Sequence, residues 1–147
     1  MIKTSLICGK FFLNITKNGK AQYIMANRIT INKNSKPCYD ILITKGFDEL
    51  KDELTNLSLN NKKYAIITDS QVGPIYADSV KDTIAEIASE VAVFIFKAGE
   101  ASKNLDTINE IYDFLLENNF TRTDVLIALG GGVVGDMTGF VAATYMR

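Results

Sequence analysis

Apolar positions change their spacing several times along this chain, and each change predicts an element. Tyr39-Asp40-Ile41-Leu42-Ile43 is a short, mostly apolar run and predicts a strand. Phe47, Leu50, Leu54 and Leu57 then recur at helical spacing. Tyr64-Ala65-Ile66-Ile67-Thr68 predicts the second strand. Ile75, Tyr76, Val80, Ile84 and Ile87 mark a helix that begins at Pro74, a residue suited to a first helical turn. Val91 to Phe96 is apolar throughout, as expected of a strand covered on both faces. Leu105, Ile108, Ile111, Tyr112, Leu115 and Leu116 form the face of another helix. Val125 to Leu129 predicts a fourth strand, and from Val134 the pattern is helical to the end.

Alternating strands and helices predict an α/β fold: a mostly parallel, Rossmann-like sheet with helices on both faces. Ligands in such sheets bind at the C-terminal ends of the strands. The loops to inspect are therefore Thr68-Asp69-Ser70-Gln71, Lys97 to Lys103, and Gly130-Gly131-Gly132. Residues 27–147 are expected to form one domain. Residues 1–26 do not share the pattern and read as an atypical N-terminal extension: an added strand pair, a floppy extension or a mistaken upstream start. The chain stops at Arg147, inside or just after a predicted helix, and this is expected to be a fragment boundary.

Composition narrows the classes. With 147 residues, 47% hydrophobic and 22% charged, the chain can bury a core without disulfide or metal staples. The formal net charge is −1 with both signs interspersed, so no basic stripe points to nucleic acid or to an anionic membrane. No apolar run approaches the ~18 residues of a membrane span. The start lacks the long apolar region and small-residue cleavage site of a signal peptide, so a cytoplasmic protein is expected. Cys8 and Cys38 stand far apart and are expected to be free thiols. The chain has no histidine, which removes that residue as base or metal ligand and leaves no metal site expected here.

The strongest chemical signal is Leu129-Gly130-Gly131-Gly132-Val133-Val134-Gly135-Asp136. Gly130, Gly132 and Gly135 satisfy G-x-G-x-x-G between a strand and a helix. Glycine admits close backbone approach to a pyrophosphate and positive φ, and the helix N-terminus offers amides and a positive dipole end. The same pattern also suits a tight strand-to-helix turn without a ligand. It follows the fourth predicted strand, whereas the ordinary dinucleotide motif follows the first. Asp136 is predicted in the first turn of that helix, either capping it or accepting hydrogen bonds from a ribose or nicotinamide group. In Gly99-Glu100-Ala101-Ser102-Lys103, the lysine suits a phosphate and the glutamate ribose hydroxyls. Alternatively this is a polar loop in which Ser102 caps the next helix. Asp69 suits an adenosine ribose, although a turn aspartate explains it as well.

Together these residues resemble a family. Leu129 to Arg147, LGGGVVGDMTGFVAATYMR, is similar to the signature of 3-dehydroquinate synthases, within the sugar phosphate cyclases. Ala98 to Lys103 resembles that family's G-E-x-x-K loop, Thr68 to Gln71 with Ile75-Tyr76 its T-D-S-x-V…Y segment, and Tyr39-Asp40-Ile41 its S-Y-D-I strand. The resemblance runs from about Asn27 to Arg147. Lys97 and Gln71 depart from the residues frequent in relatives, proline and asparagine.

The resemblance implies an N-terminal α/β domain holding NAD and a C-terminal helical domain holding zinc or cobalt, with substrate between them. It implies conversion of 3-deoxy-D-arabino-heptulosonate 7-phosphate to 3-dehydroquinate and phosphate, a step of the shikimate pathway, by a cytoplasmic homodimer. Asp69 and Glu100 would bind adenosine ribose, with Ala98, Gly99, Ala101 and Ser102 shaping the same loop. Lys103 would lie near the nicotinamide. Gly131, Gly132 and Val133 would cover the pyrophosphate, with Val134 and Gly135 beside them, and Asp136 would contact the nicotinamide ribose. Arg147 would hold substrate phosphate, supplied across the dimer in relatives. The family's metal ligands have no counterpart here, so this chain alone is expected to be inactive. Other readings are a related sugar phosphate cyclase, a polyol or glycerol phosphate dehydrogenase, or a non-catalytic truncated domain.

Overall fold

Two separate pieces of β-structure share the chain. The computed structural model describes residues 3–8 and 27–146. After strand β1 (Lys3–Cys8) come β2 (Asn27–Lys33) and β3 (Lys36–Ile43). Helix α1 (Leu50–Asn56) leads to β4 (Lys62–Asp69), α2 (Gly73–Ala85) and β5 (Ala88–Phe96). Helix α3 (Leu105–Glu117), β6 (Val125–Gly130) and α4 (Gly132–Thr144) complete the order. The main sheet runs β1-β6-β4-β5, with every neighbouring pair parallel.

Successive side chains of a strand face opposite ways, and the two inner strands show what each face covers. Tyr64 and Ile66 of β4, with Val125, Ile127 and Leu129 of β6, pack under Leu54 of α1 and Ala77, Val80 and Ile84 of α2. Ala65 and Ile67, with Leu126 and Ala128, pack under Ile108, Ile111 and Leu115 of α3 and Val134, Met137 and Val141 of α4. Inner-strand residues such as Ile66 and Ile127 are fully buried. The α/β class, the parallel sheet and the helices on both faces are therefore as the sequence predicts. Helix α2 starts one residue before Pro74, which sits in its first turn.

Three expectations need correction. Tyr39–Ile43 does form a strand, but it lies outside the parallel sheet. It pairs antiparallel with β2 as a hairpin, closed by Asn34 and Ser35, both at positive φ (52° and 61°). Two such residues are what a tight hairpin turn with right-handed twist requires. Val91–Phe96 is packed on both faces, Ala92, Phe94 and Phe96 against one cluster and Val91 and Val93 against the other, but the cover is partial: β5 is the edge of the sheet and Ile95 is 49% exposed. Helix α3 is capped by Asn104, whose side chain accepts the Thr107 N–H at 2.9 Å, and not by Ser102, which lies in a single 3-10 turn, Glu100–Ser102. In the predicted extension, Lys3–Cys8 adds a backbone ladder along β6. The rest of that segment, residues 9–26, lies outside the described residues, as does Arg147.

Candidate functional site

Strand β4 leads to α2 on one face, and its neighbour β6 leads to α4 on the other. Adjacent strands whose helices leave to opposite faces open a crevice at their C-terminal ends. Asp69 ends β4 and Gly130 ends β6 at that crevice, and the loop 97–104 after β5 flanks it. The three loops singled out from the sequence therefore meet at one end of the sheet.

The glycines act through space rather than unusual dihedrals. Among Gly130, Gly131 and Gly132 none has positive φ; Gly131, at the helix N-cap, has φ −86° and ψ −161°. A Cβ on Gly130 would lie 2.6 Å from Val134 Cγ2, so its role is to let the strand turn tightly against α4. A Cβ on Gly131 or Gly132 would meet nothing within 4 Å. No side chain caps α4. The first amides of a helix lack partners within it, so those of Gly132, Val133 and Val134 have no acceptor in α4 and lie at its positive dipole end. The Gly135 N–H is already committed to the Gly131 carbonyl at 3.0 Å. Val134 itself is a core side chain.

Asp136 is not in the first turn, which carries no acidic residue, because the helix begins at Gly132. Its capping role falls with that. Instead its Oδ2 accepts from Lys103 Nζ at 2.8 Å, and Glu100 Oε1 lies 3.7 Å from the same ammonium. The Asp136 carboxylate holds the Lys103 amine above its ordinary range, with Glu100 helping. Two residues separately marked in the sequence are thus an ion pair that ties the loop after β5 to α4. Beside it an open cleft of about 370 Å³ lies between α3 and α4, floored by Ile108 and Met137 and rimmed by Leu105 and Phe140.

Asp69 keeps a turn role. Its Oδ1 accepts the N–H groups of Gln71 and Val72, each at 2.9 Å, while Oδ2 has no partner among the described residues. Gly99 is the one glycine with positive φ among the described residues (φ 117°, ψ 160°), a conformation that L side chains rarely adopt. It lets the loop turn between Ala98 and the 3-10 turn carrying Glu100, Ala101 and Ser102. Within it Ala101 O accepts from the Asn104 side chain at 2.8 Å.

Two residues of the inspected loop to which the sequence assigned no role hold these loops in place. Buried Thr68 donates its Oγ1 hydrogen to the Leu129 carbonyl at 2.7 Å and joins the ends of β4 and β6. Ser70 Oγ accepts the Ala98 N–H at 3.0 Å, and its own N–H bonds Phe96 O at 2.8 Å. The T-D-S segment marks Ser70 in sequence but not its partner; only the fold brings it against Ala98. Ser70→Ala is expected to leave global stability within about 1 kcal/mol, since one exposed hydrogen bond is lost. Amide exchange at Ala98 and Gly99 should rise several-fold while β6 stays protected. Unchanged exchange there would remove Ser70 from the site.

Residues 93–147 match the family described as 3-dehydroquinate synthase N-terminal. The 3-dehydroquinate synthase of Streptococcus suis (strain 05ZYH33) is 48% identical over 120 residues, 82% of this chain and 34% of that protein. That of Streptococcus mutans serotype c (strain ATCC 700610 / UA159) gives the same figures. The chain therefore spans 34% of the length of these curated relatives. Among solved structures, 2-deoxy-scyllo-inosose synthase superimposes with a TM-score of 0.66 at 20% identity, covering 84% of this chain and 34% of that one. A second structure of that synthase, complexed with carbaglucose-6-phosphate, NAD+ and Co2+, gives 0.65 at 19% identity, covering 84% and 32%. At such identities the likeness shows the fold.

Proposed function

We propose that this chain, a relative of the 3-dehydroquinate synthases, is the NAD-binding part of such an enzyme. The activity proposed for the whole is conversion of 3-deoxy-D-arabino-heptulosonate 7-phosphate to 3-dehydroquinate and phosphate, within aromatic amino acid biosynthesis. The observation that carries the reading is the uncapped, glycine-lined start of α4 at the crevice between β4 and β6.

The residues fit a dinucleotide. A pyrophosphate needs backbone amides and room for its oxygens, and Gly131 and Gly132 leave that room. Gly132, Val133 and Val134 would donate to it. Asp69, with one oxygen unpartnered among the described residues, and Glu100 on the opposite loop would accept from adenosine ribose hydroxyls. Asp136 and Lys103, at the far end of the glycine turn, would border the nicotinamide ribose. Bound NAD would supply reversible hydride acceptance from a substrate alcohol. Lys103 would keep its ammonium form at neutral pH, because Asp136 raises its proton affinity, and so would present a positive charge to that end of the cofactor.

A catalytic metal has no such fit. The chain has no histidine, and among the described residues no three acidic or cysteine side chains cluster as ligands. The zinc or cobalt of the complete enzyme is therefore proposed to be held elsewhere, with no step here routed through it. Arg147 is proposed to hold the phosphate of a sugar phosphate substrate in a homodimer. No described helix is long and apolar enough to cross a membrane, and a cytoplasmic location is proposed.

Calorimetric titration with NAD tests the reading. Saturable binding is expected, weak for a partial pocket, and Asp136→Ala should weaken it about tenfold, or ~1.4 kcal/mol. Gly132→Asp, which sets a carboxylate where the pyrophosphate would lie, should abolish it. Binding that is the same in the parent and both variants would place NAD elsewhere and sink the proposal.

A further inference from the structure

One strand of the main sheet comes from the N-terminal segment that the sequence pattern sets apart. β1 pairs with β6 in parallel along its whole length, from Lys3↔Val125 to Cys8↔Gly130, without a bulge. On its other side β6 pairs with β4, from Tyr64↔Val125 to Thr68↔Leu129, so β6 is an inner strand. Its sequence suits only that position. Val125 to Leu129 are all apolar and at most 3% exposed, and β6 carries neither a charge nor a proline. Charges and prolines are among the devices that keep a natural sheet edge from pairing with other chains. β5, an edge of this sheet, does carry a charge, the exposed Glu90.

The crossovers show whose place β1 takes. Helix α2 lies on one face and carries the chain outward from β4 to β5. Helix α3 lies on the other face and carries it back past β4 to β6. Opposite faces with opposite directions are what crossovers of a single hand require, and in parallel sheets that hand is right. Helix α4 shares the face of α3 and lies over β1 as well as β6. A strand following α4 is therefore directed the same way as β6 was, to the side of β6 away from β4. β1 occupies that place. From this we infer that β1 is a stand-in strand. Residues 3–8 close, in cis, the edge of β6 that belongs to the strand after α4, and the two are alternative occupants of one site. This chain spans 34% of the length of its curated relatives, so those proteins hold further chain from which such a strand can come. Losing β1 would bare the backbone of β6 up to Gly130, where the strand turns into α4. The inference rests on strand order and not on NAD, so calorimetry and strand exchange fail separately.

Amide hydrogen exchange of the whole chain tests it. Along an inner parallel strand the amides point alternately to its two neighbours. The double variant Ser5→Pro/Leu6→Pro removes two adjacent N–H groups of β1, one of which faces β6, and breaks the strand. Every second amide from Val125 to Gly130 should then exchange about tenfold faster or more, while those bonded to β4 stay protected. Unfolding would free both sets alike. A peptide of residues 1–8, added at about 1 mM to match a tethered segment, should restore the lost protection, which keeps the test decisive even in a weakened variant. Joining to Arg147 the part of the Streptococcus suis synthase that follows the matched stretch should leave β6 protected and free the amides of residues 3–8. Full protection of β6 in the proline variant would overturn the proposal. So would a peptide without effect, or residues 3–8 that stay protected in the lengthened chain. Protection of β6 that varies with protein concentration would give the strand to a second copy and overturn the assignment in cis.

Discussion

Gly130→Ala is expected to destabilise the chain by about 1–3 kcal/mol, the usual cost of forcing an extra carbon into a packed site. The added Cβ would lie 2.6 Å from Val134 Cγ2 and 2.9 Å from Val134 Cβ. Val134 cannot move aside easily: it is fully buried, β-branched and wedged between β6 and the rest of α4. Relief therefore comes from displacing the start of α4, the segment whose amides form the candidate phosphate site. Urea unfolding of the single and double variants separates the causes. Val134→Ala alone should cost about 1–3 kcal/mol for its cavity. If the clash is real, the Gly130→Ala/Val134→Ala double variant should be more stable than the sum of the two by at least ~0.5 kcal/mol. Strict additivity would mean that Gly130 serves something other than this contact. A weakened NAD response in Gly130→Ala, recovered in the double variant, would connect the turn to the site.

Alkaline pH should remove about 2–3 kcal/mol of stability between pH 10 and pH 12. Burial pushes the Tyr64 phenol up to about 12 from an ordinary 10. Its hydroxyl, fully enclosed, donates to the Leu59 carbonyl at 2.9 Å, which an ionised phenol could not do. The unfolded chain releases this proton near pH 10 and the folded one only near 12. Stability is thus complete below 10, falls as pH rises through the interval and has lost this contribution above it; two units correspond to ~2.7 kcal/mol. Tyr145 adds in the same direction, since burial and then the Asp124 carboxylate raise its phenol. Tyr64→Phe should be less stable at neutral pH by about 1–3 kcal/mol, because Leu59 O is left without its donor. Its stability should then fall less steeply above pH 10, so that the two curves approach each other by pH 12. Parallel curves across that range would show that Tyr64 is hydrated in the folded state.

The sequence by itself determined the α/β class, because a short apolar run and period-3.6 apolar spacing are local properties of a buried strand and a helix. Helices α2 and α3 and strands β4, β5 and β6 lie close to where that spacing puts them. It also marked the glycine turn, since a strand, three glycines and a helix are contiguous, and it named both Lys103 and Asp136. Apolar spacing cannot say which strand is a neighbour of which. Tyr39–Ile43 has the composition of a sheet strand but pairs only with β2, and Val91–Phe96 has that of an inner strand but forms an edge. Strand order depends on long-range pairing, decided by the whole set of competing faces. The same holds at the site. The start of α4 at Gly132 moved Asp136 out of the first turn, and the approach of the loop after β5 to α4 made it the partner of Lys103, 33 residues away in sequence. Ser70 and Thr68 acquired their roles in the same way, through acceptors and donors that only the folded sheet brings within 3.0 Å. Chemistry carried by one segment was legible in the chain; chemistry shared between segments was set by tertiary structure, because a hydrogen bond requires a distance that sequence separation does not specify.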